Sequence, residues 1–83
     1  MQVQVRFFAS LREALGAQEQ VQLPAGATLG AVRDLLIARN PRHAEALART
    51  RTLRGAINQV LCDEASLVPE AAEVAFFPPV TGG

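Results

Sequence analysis

Two strand-like runs lie near opposite ends of the chain, and they restrict its fold more than any other feature. The first, Gln2-Val3-Gln4-Val5-Arg6-Phe7, alternates apolar and polar residues; the second, Glu73-Val74-Ala75-Phe76-Phe77, is mostly apolar. Alternation with period two puts every second side chain on one face, so the first run predicts a half-buried strand, and the short apolar second run predicts another strand. Val3, Val5 and Phe7 share the core face of the first strand, and Phe8 points to the other side. Val74 and Phe76 share a face of the last strand. Pro78-Pro79 stops further pairing, because proline offers no N–H to a ladder. After the first strand the last is the most apolar, so it is expected inside the sheet.

Helical signals fill the space between. Ser10 followed by Glu13 predicts a capping box, in which each side chain satisfies the other's backbone N–H, with Leu11, Ala14 and Leu15 as the buried face. Gly16 is placed to end this short helix in a left-handed conformation. Glu19 to Leu23 alternates again and stops at the turn Pro24-Ala25-Gly26, so it could pair with the first strand as a loose hairpin. Thr28 caps the main helix, roughly Leu29 to Arg39, with Leu29, Val32, Leu35 and Leu36 at helical spacing. Asn40-Pro41 ends it and starts a further helical stretch, with Asn40 as cap and Ala44, Leu47 and Ala48 buried. Arg49 to Thr52 is loop. Leu53 to Cys62 reads as one strand, with Ile57 and Leu61 on one face and Val60 and Cys62 on the other. Asp63 to Ser66 is a turn. This order gives a mixed sheet with helices on one face, an α+β roll with one main helix plus short ones.

The 83 residues suffice for one domain and not for two. We assign 1–79 to the domain and 80–83 to a flexible Gly-Gly tail. No apolar run has the length of a membrane span, and the N-terminus lacks the pattern of a signal peptide. Eight basic and eight acidic residues cancel, which disfavours a nucleic-acid partner. All eight basic residues are arginine, a bias that follows genome composition. A single cysteine excludes an internal disulfide and fits a reducing, cytoplasmic setting.

Candidates for catalysis are weak. His43 stands in a polar, arginine-flanked stretch and is expected on the surface. Cys62 precedes Asp63 and Glu64, which would raise a thiol pKa, so it is expected as a small half-buried apolar residue. No phosphate loop, carboxylate pair or metal-ligand spacing is present, and no metal site is expected. The C-terminus is different. An apolar strand runs into two prolines and then Val80-Thr81-Gly82-Gly83. Prolines stiffen the exit, and glycines make a thread that enters slots closed to other residues. A carboxylate delivered on such a tether can be activated inside another protein's active site.

The ending VAFFPPVTGG, preceded by AINQVL, resembles the small, sulfur-carrying subunit of molybdopterin synthase, and the start VRFFASLREALG is similar to that family's first strand and helix. The start is shared more loosely with other ubiquitin-like sulfur carriers, including the thiazole-forming one. The resemblance implies a β-grasp, or ubiquitin-like, roll. It implies that the carboxylate of Gly83, presented with Gly82, is adenylated by a ubiquitin-activating-like enzyme using ATP and magnesium. The carrier itself would bind no cofactor. A sulfur donor protein would then form the thiocarboxylate. The charged tail would enter the large catalytic subunit and give its sulfur to cyclic pyranopterin monophosphate, within a heterotetramer. The chain would be a co-substrate rather than an enzyme. Sulfur carriage for thiazole or another pathway, and a ubiquitin-like interaction module whose tail is never activated, stay open as alternatives.

The residues also suggest a docking surface. Phe8 and Phe77 have opposite parity to Phe7 and Phe76, and exposed aromatics beside a docking tail mark a binding patch. Leu61 matches a position that the family uses in the same contact. Phe8 and Leu61 could instead close the core under a loop. Pro78, Pro79, Val80 and Thr81 join the candidate partner-binding set, and Arg12 is a candidate to flank it. The family usually has Gly-Asp before the last strand, where this chain has Ala71-Ala72. Alanine is strained at positive φ, so a different turn is expected there.

Overall fold

The computed structural model describes residues 1–79, and the tail assigned to 80–83 lies outside them. The described residues form β1 (Gln2–Phe7), α1 (Ser10–Leu15), β2 (Gln18–Gln22), α2 (Leu29–Ile37), α3 (Pro41–Ala46), β3 (Arg54–Ile57), β4 (Val60–Cys62) and β5 (Glu73–Phe77). The strands make one mixed sheet in the order β2-β1-β5-β3-β4. β1 and β5 are its parallel centre, with Val5 opposite Val74 and Phe7 opposite Phe76. The other three pairings are antiparallel. This is the α+β, β-grasp roll expected above, and the last strand does lie inside the sheet.

One face of the sheet carries the core. Val3, Val5, Phe7, Val74 and Phe76 are all buried, and α2 adds Leu29, Val32 and Leu36. Thr28 caps α2 through its Oγ1, which accepts from the Ala31 N–H at 3.1 Å. Asn40 caps α3 in the same way, its Oδ1 accepting from the His43 N–H at 2.9 Å, with Pro41 opening the helix. Such caps are each worth about 1 kcal/mol. Gly55 has no side chain because none would fit: a Cβ there would stand 2.5 Å from Leu29 Cδ2.

Several local expectations are corrected. The Ser10–Glu13 capping box does not form. Ala9 is the N-cap, at φ 54°, with no side-chain cap hydrogen bond. The first turn is closed by main chain instead, Leu11 N–H to Phe8 O and Arg12 N–H to Ala9 O. Ser10 already lies inside the helix, where its hydroxyl no longer faces the free N–H groups. Gly16 has the positive φ of 93°, but with ψ at 176° it is extended rather than left-handed helical. α2 ends at Ile37, and the buried residues of α3 and its cap are His43, Ala46 and Leu47.

The stretch from Leu53 to Cys62 is two strands, not one. Asn58 and Gln59, at φ 49° and 69°, form a two-residue hairpin loop between Ile57 and Val60. Positive φ at both central residues is the type I′ pattern, whose twist suits paired strands. Reversal of the chain changes the faces. Val60 now stands opposite Ile57, and Leu61 opposite Ala56. Asn58 also anchors the hairpin to β5, its Oδ1 accepting from the Glu73 N–H at 3.0 Å.

The Ala71 turn does not avoid positive φ: Ala71 lies at φ 60°. The Ala72 N–H donates to Pro69 O at 3.2 Å, closing a four-residue turn whose third residue alone has positive φ. That is the type II pattern, which ordinarily places glycine there. Burial of Ala72 and the bond from Gln4 N–H to Ala72 O hold the chain in this strained form.

A buried arginine ties the helical layer to both neighbouring loops. Arg33 Nε donates to Leu47 O at 2.8 Å, and its terminal nitrogens donate to Ala48 O, Arg51 O and Glu64 Oε2. Arg49 joins Glu64 to Asp34. Partial burial of Glu64 favours its neutral form, but the hydrogen bonds from Arg49 and Arg33 outweigh it and hold the carboxyl below its ordinary value of 4.5.

Three outcomes follow for stability. Ala71→Gly is expected to stabilise the fold by about 0.5–1 kcal/mol in urea titration, relief of left-handed strain exceeding the added chain entropy. Arg33→Met should cost about 2–4 kcal/mol, because it removes four hydrogen bonds made by a buried side chain, to Leu47 O, Ala48 O, Arg51 O and Glu64. The Glu64 contribution is fully present above the unfolded carboxyl's pKa and is lost as pH falls through the lower folded value. Wild-type protein should therefore lose stability on acidification below about pH 4.5 more steeply than Glu64→Gln, as read from thermal melts across pH.

Candidate docking face and strand exit

The sheet face opposite the core carries two kinds of surface. On β1 and β2 it is covered by glutamine: Gln2 stands opposite Gln22, and Gln4 opposite Gln20. On β5, β3 and β4 its centre is apolar, with Glu73 and Arg54 toward its ends. Ala75 and Ala56 are cross-strand partners, and Leu61 stands opposite Ala56. Small alanines make a floor, while Phe8, Leu61, Phe77 and Pro78 rise around it. Together they enclose a shallow hollow of about 560 Å³.

Strand parity explains the arrangement. Phe76 turns inward against Phe7, so Phe77 must turn outward. Phe8 follows Phe7, and its N–H donates to Phe76 O at 3.3 Å, which keeps it beside the end of β5. Phe8 is 38% exposed and Leu61 64% exposed. Neither closes the core under a loop. Placing both on the rim of one hollow with Phe77 needed the hairpin at Asn58-Gln59, which the sequence reading lacked. The alanine floor was missed as well; its signal was the parity of Ala75 against Val74 and Phe76.

Arg12 does not line the hollow. The arginine there is Arg6, whose guanidinium carbon lies 5.3 Å from the centroid of the Phe8 ring and which pairs with Glu73 at 3.6 Å. Stacking on one side of Phe8 fixes the ring without covering it. A second hollow of about 540 Å³ lies at the end of β3, lined by Leu53, Arg54, Cys62, Phe76 and Pro79 among others. Leu61 borders both hollows. The two prolines thus separate: Pro78 lines the outer hollow and Pro79 the second. Val80, Thr81, Gly82 and Gly83 lie outside the described residues.

The groups considered for catalysis have structural surroundings. His43 is buried rather than on the surface. Its Nδ1 lies 2.9 Å from Asn40 Oδ1 and its Nε2 2.6 Å from Glu19 Oε2, and its ring meets Phe7 edge-on at 6.4 Å between centroids. Arg39 also pairs with Glu19. The cluster joins β2 to the start of α3. Sequence spacing could not show it, since Glu19 and His43 are distant in the chain. Cys62 is half-buried and packs against the core, as expected. Among the described residues no group of three or more His, Cys, Asp or Glu could hold a metal ion, and no helix is long and apolar enough to cross a membrane.

The geometry is thus an apolar hollow beside the exit of a central strand. The sequence matches the ThiS family over residues 5–83. The chain belongs to this family. It is 45% identical over 80 residues to the molybdopterin synthase sulfur carrier subunit of Haemophilus influenzae, spanning 95% of this chain and 96% of that one. The Escherichia coli protein of the same name is 38% identical over 81 residues, spanning 98% and 99%. Among solved structures, SAMP1 from Haloferax volcanii superposes with a TM-score of 0.79 at 26% identity, covering 100% of both chains. The similarity read from the two ends of this ThiS-family chain therefore extends through its middle.

An exposed leucine on the rim of a hollow can be removed without harm to the fold. Leu61→Ser is expected to change stability by no more than about 0.5 kcal/mol in urea titration. Phe76→Ser, one strand away but buried, should unfold the protein or destabilise it by about 3 kcal/mol or more.

Proposed function

We propose that this chain is a sulfur carrier for molybdenum cofactor biosynthesis. The observation that carries the reading is the juxtaposition of an apolar hollow with the end of the central strand β5. That strand leads through Pro78-Pro79 into Val80-Thr81-Gly82-Gly83. The names of the full-length relatives support the same role.

In this reading an adenylating enzyme uses ATP and magnesium to join the Gly83 carboxylate to AMP, releasing pyrophosphate. Adenylation supplies a good leaving group in place of a poor one. A donor protein then supplies sulfur at the sulfide level, either as hydrosulfide or as a persulfide with a thiol that reduces the resulting acyl disulfide; AMP leaves and a thiocarboxylate remains, a better nucleophile than the carboxylate it replaces. The carrier docks on the large subunit of molybdopterin synthase through Phe8, Leu61, Phe77 and Pro78. Pro79, Val80 and Thr81 line the tail's entry, and Gly82-Gly83 reach the acceptor, cyclic pyranopterin monophosphate. Covering the exposed Phe8 and Leu61 and the half-buried Phe77 supplies the apolar part of the binding energy, up to about 1.5–3 kcal/mol for each fully exposed side chain, against which association costs are set. The chain contributes no acid or base; its work is to bind and to deliver.

Intact-mass spectrometry tests the reading. After incubation with the adenylating enzyme, ATP and a sulfide source, the chain should gain the mass of one sulfur-for-oxygen exchange, located at Gly83. An unchanged mass under conditions that charge an established carrier would refute it. A chain lacking Gly82-Gly83 should bind the large subunit through the same hollow yet support no sulfur transfer.

A further inference from the structure

Charges around the docking face leave one residue unaccounted for. Arg6 is held by Glu73 and stacks on Phe8. Glu64 is engaged by Arg33 and Arg49. Asp63 sits one step beyond the Gly55–Cys62 pair, toward Arg54, but its Oδ1 accepts from the Ala65 N–H at 2.9 Å and from the Ser66 hydroxyl at 3.4 Å. Arg54 itself is exposed and makes no ion pair among the described residues. It opens β3 directly opposite Phe77, and it lines the same hollow as Pro79. Arg54 is thus a cation at the root of the tail that no carboxylate of the described residues engages.

We propose that Arg54 pairs with a carboxylate on the protein surface that receives the tail, and so fixes the register of docking. This inference rests on the carrier reading above. Four residues follow Pro79 in the sequence. Fully extended they span at most about 14 Å. An apolar contact alone permits sliding, since the hydrophobic effect has no direction. A shift of a few ångströms at the root would withdraw the end of so short a tether from its acceptor. Arginine supplies the missing direction, because its planar fork matches a carboxylate with two parallel hydrogen bonds. Placed at the rim of an apolar contact, such a pair also steers encounter and excludes partners with the wrong charge. The complementary surface is therefore an apolar projection that fills the Phe8–Leu61–Phe77 hollow, with an acidic residue beside it opposite Arg54.

The test is calorimetric titration of the full chain into the large subunit of molybdopterin synthase at low and high salt. Arg54→Glu should weaken binding about tenfold or more at low salt and flatten its salt dependence, while Arg54→Gln should have a smaller effect of the same sign. Replacing the facing carboxylate of the large subunit by arginine should restore binding to Arg54→Glu and not to wild type. Thermal melts of both Arg54 variants should match wild type, since the side chain is exposed. Unchanged affinity and unchanged salt dependence in both variants would overturn the proposal while leaving the carrier reading intact. Failure of the wild-type chain to bind at all would instead overturn the carrier reading, and this inference with it.

Discussion

The parallel pairing of β1 with β5 is the constraint on which the rest of this molecule depends. Parallel neighbours cannot be joined by a tight turn, so everything between them must form a crossover and return. α2 crosses one face and buries it. That leaves the opposite face uncovered, and it is there that outward-facing residues at the ends of the two strands meet. Phe8 follows the last residue of β1, and Phe77 closes β5. Neighbouring parallel strands end side by side, so the two rings share one surface.

The two faces are built by different physics. The inner face is a packed apolar core in which even a methyl group has no room at Gly55. The outer face is divided by composition: glutamines on β1 and β2 remain hydrated, and alanines between larger side chains make a concavity on β5, β3 and β4. An exposed apolar hollow has no value for folding, since its side chains stay in contact with water. It stands beside the strand exit, where the proposed docking would cover it.

Polar groups inside the molecule join elements rather than perform chemistry. Arg33 gathers three carbonyls from the segment after α3 and binds Glu64 from the loop after β4. His43 similarly joins α3 to Glu19 on β2. Both are residues that a chain would normally leave on its surface, and each is buried with partners on every side. Ala71 at positive φ belongs to the same account. The burial of Ala72 and its bond to β1 outweigh a local preference worth about 1–2 kcal/mol.

Much of this was legible without coordinates. Period-two alternation marked β1 and β2, because a strand between core and solvent writes its two faces into consecutive residues, and a short apolar run marked β5. Thr28, Asn40 and Pro41 marked helix starts, because caps are local chemistry. Other features were settled only by the tertiary fold. Asn58-Gln59 lacks the glycine that announces a hairpin, so the break between β3 and β4 appeared only once pairing fixed it, and with it the side on which Leu61 stands. The capping box at Ser10 had the right residues but lay one position inside the helix, because the exit from β1 decided where the helix began. The burial of His43 and Arg33, and the isolation of Arg54 beside Phe77, depend on residues far apart in the chain. Local sequence encodes which face a residue prefers; only the assembled sheet decides which distant residue it meets there.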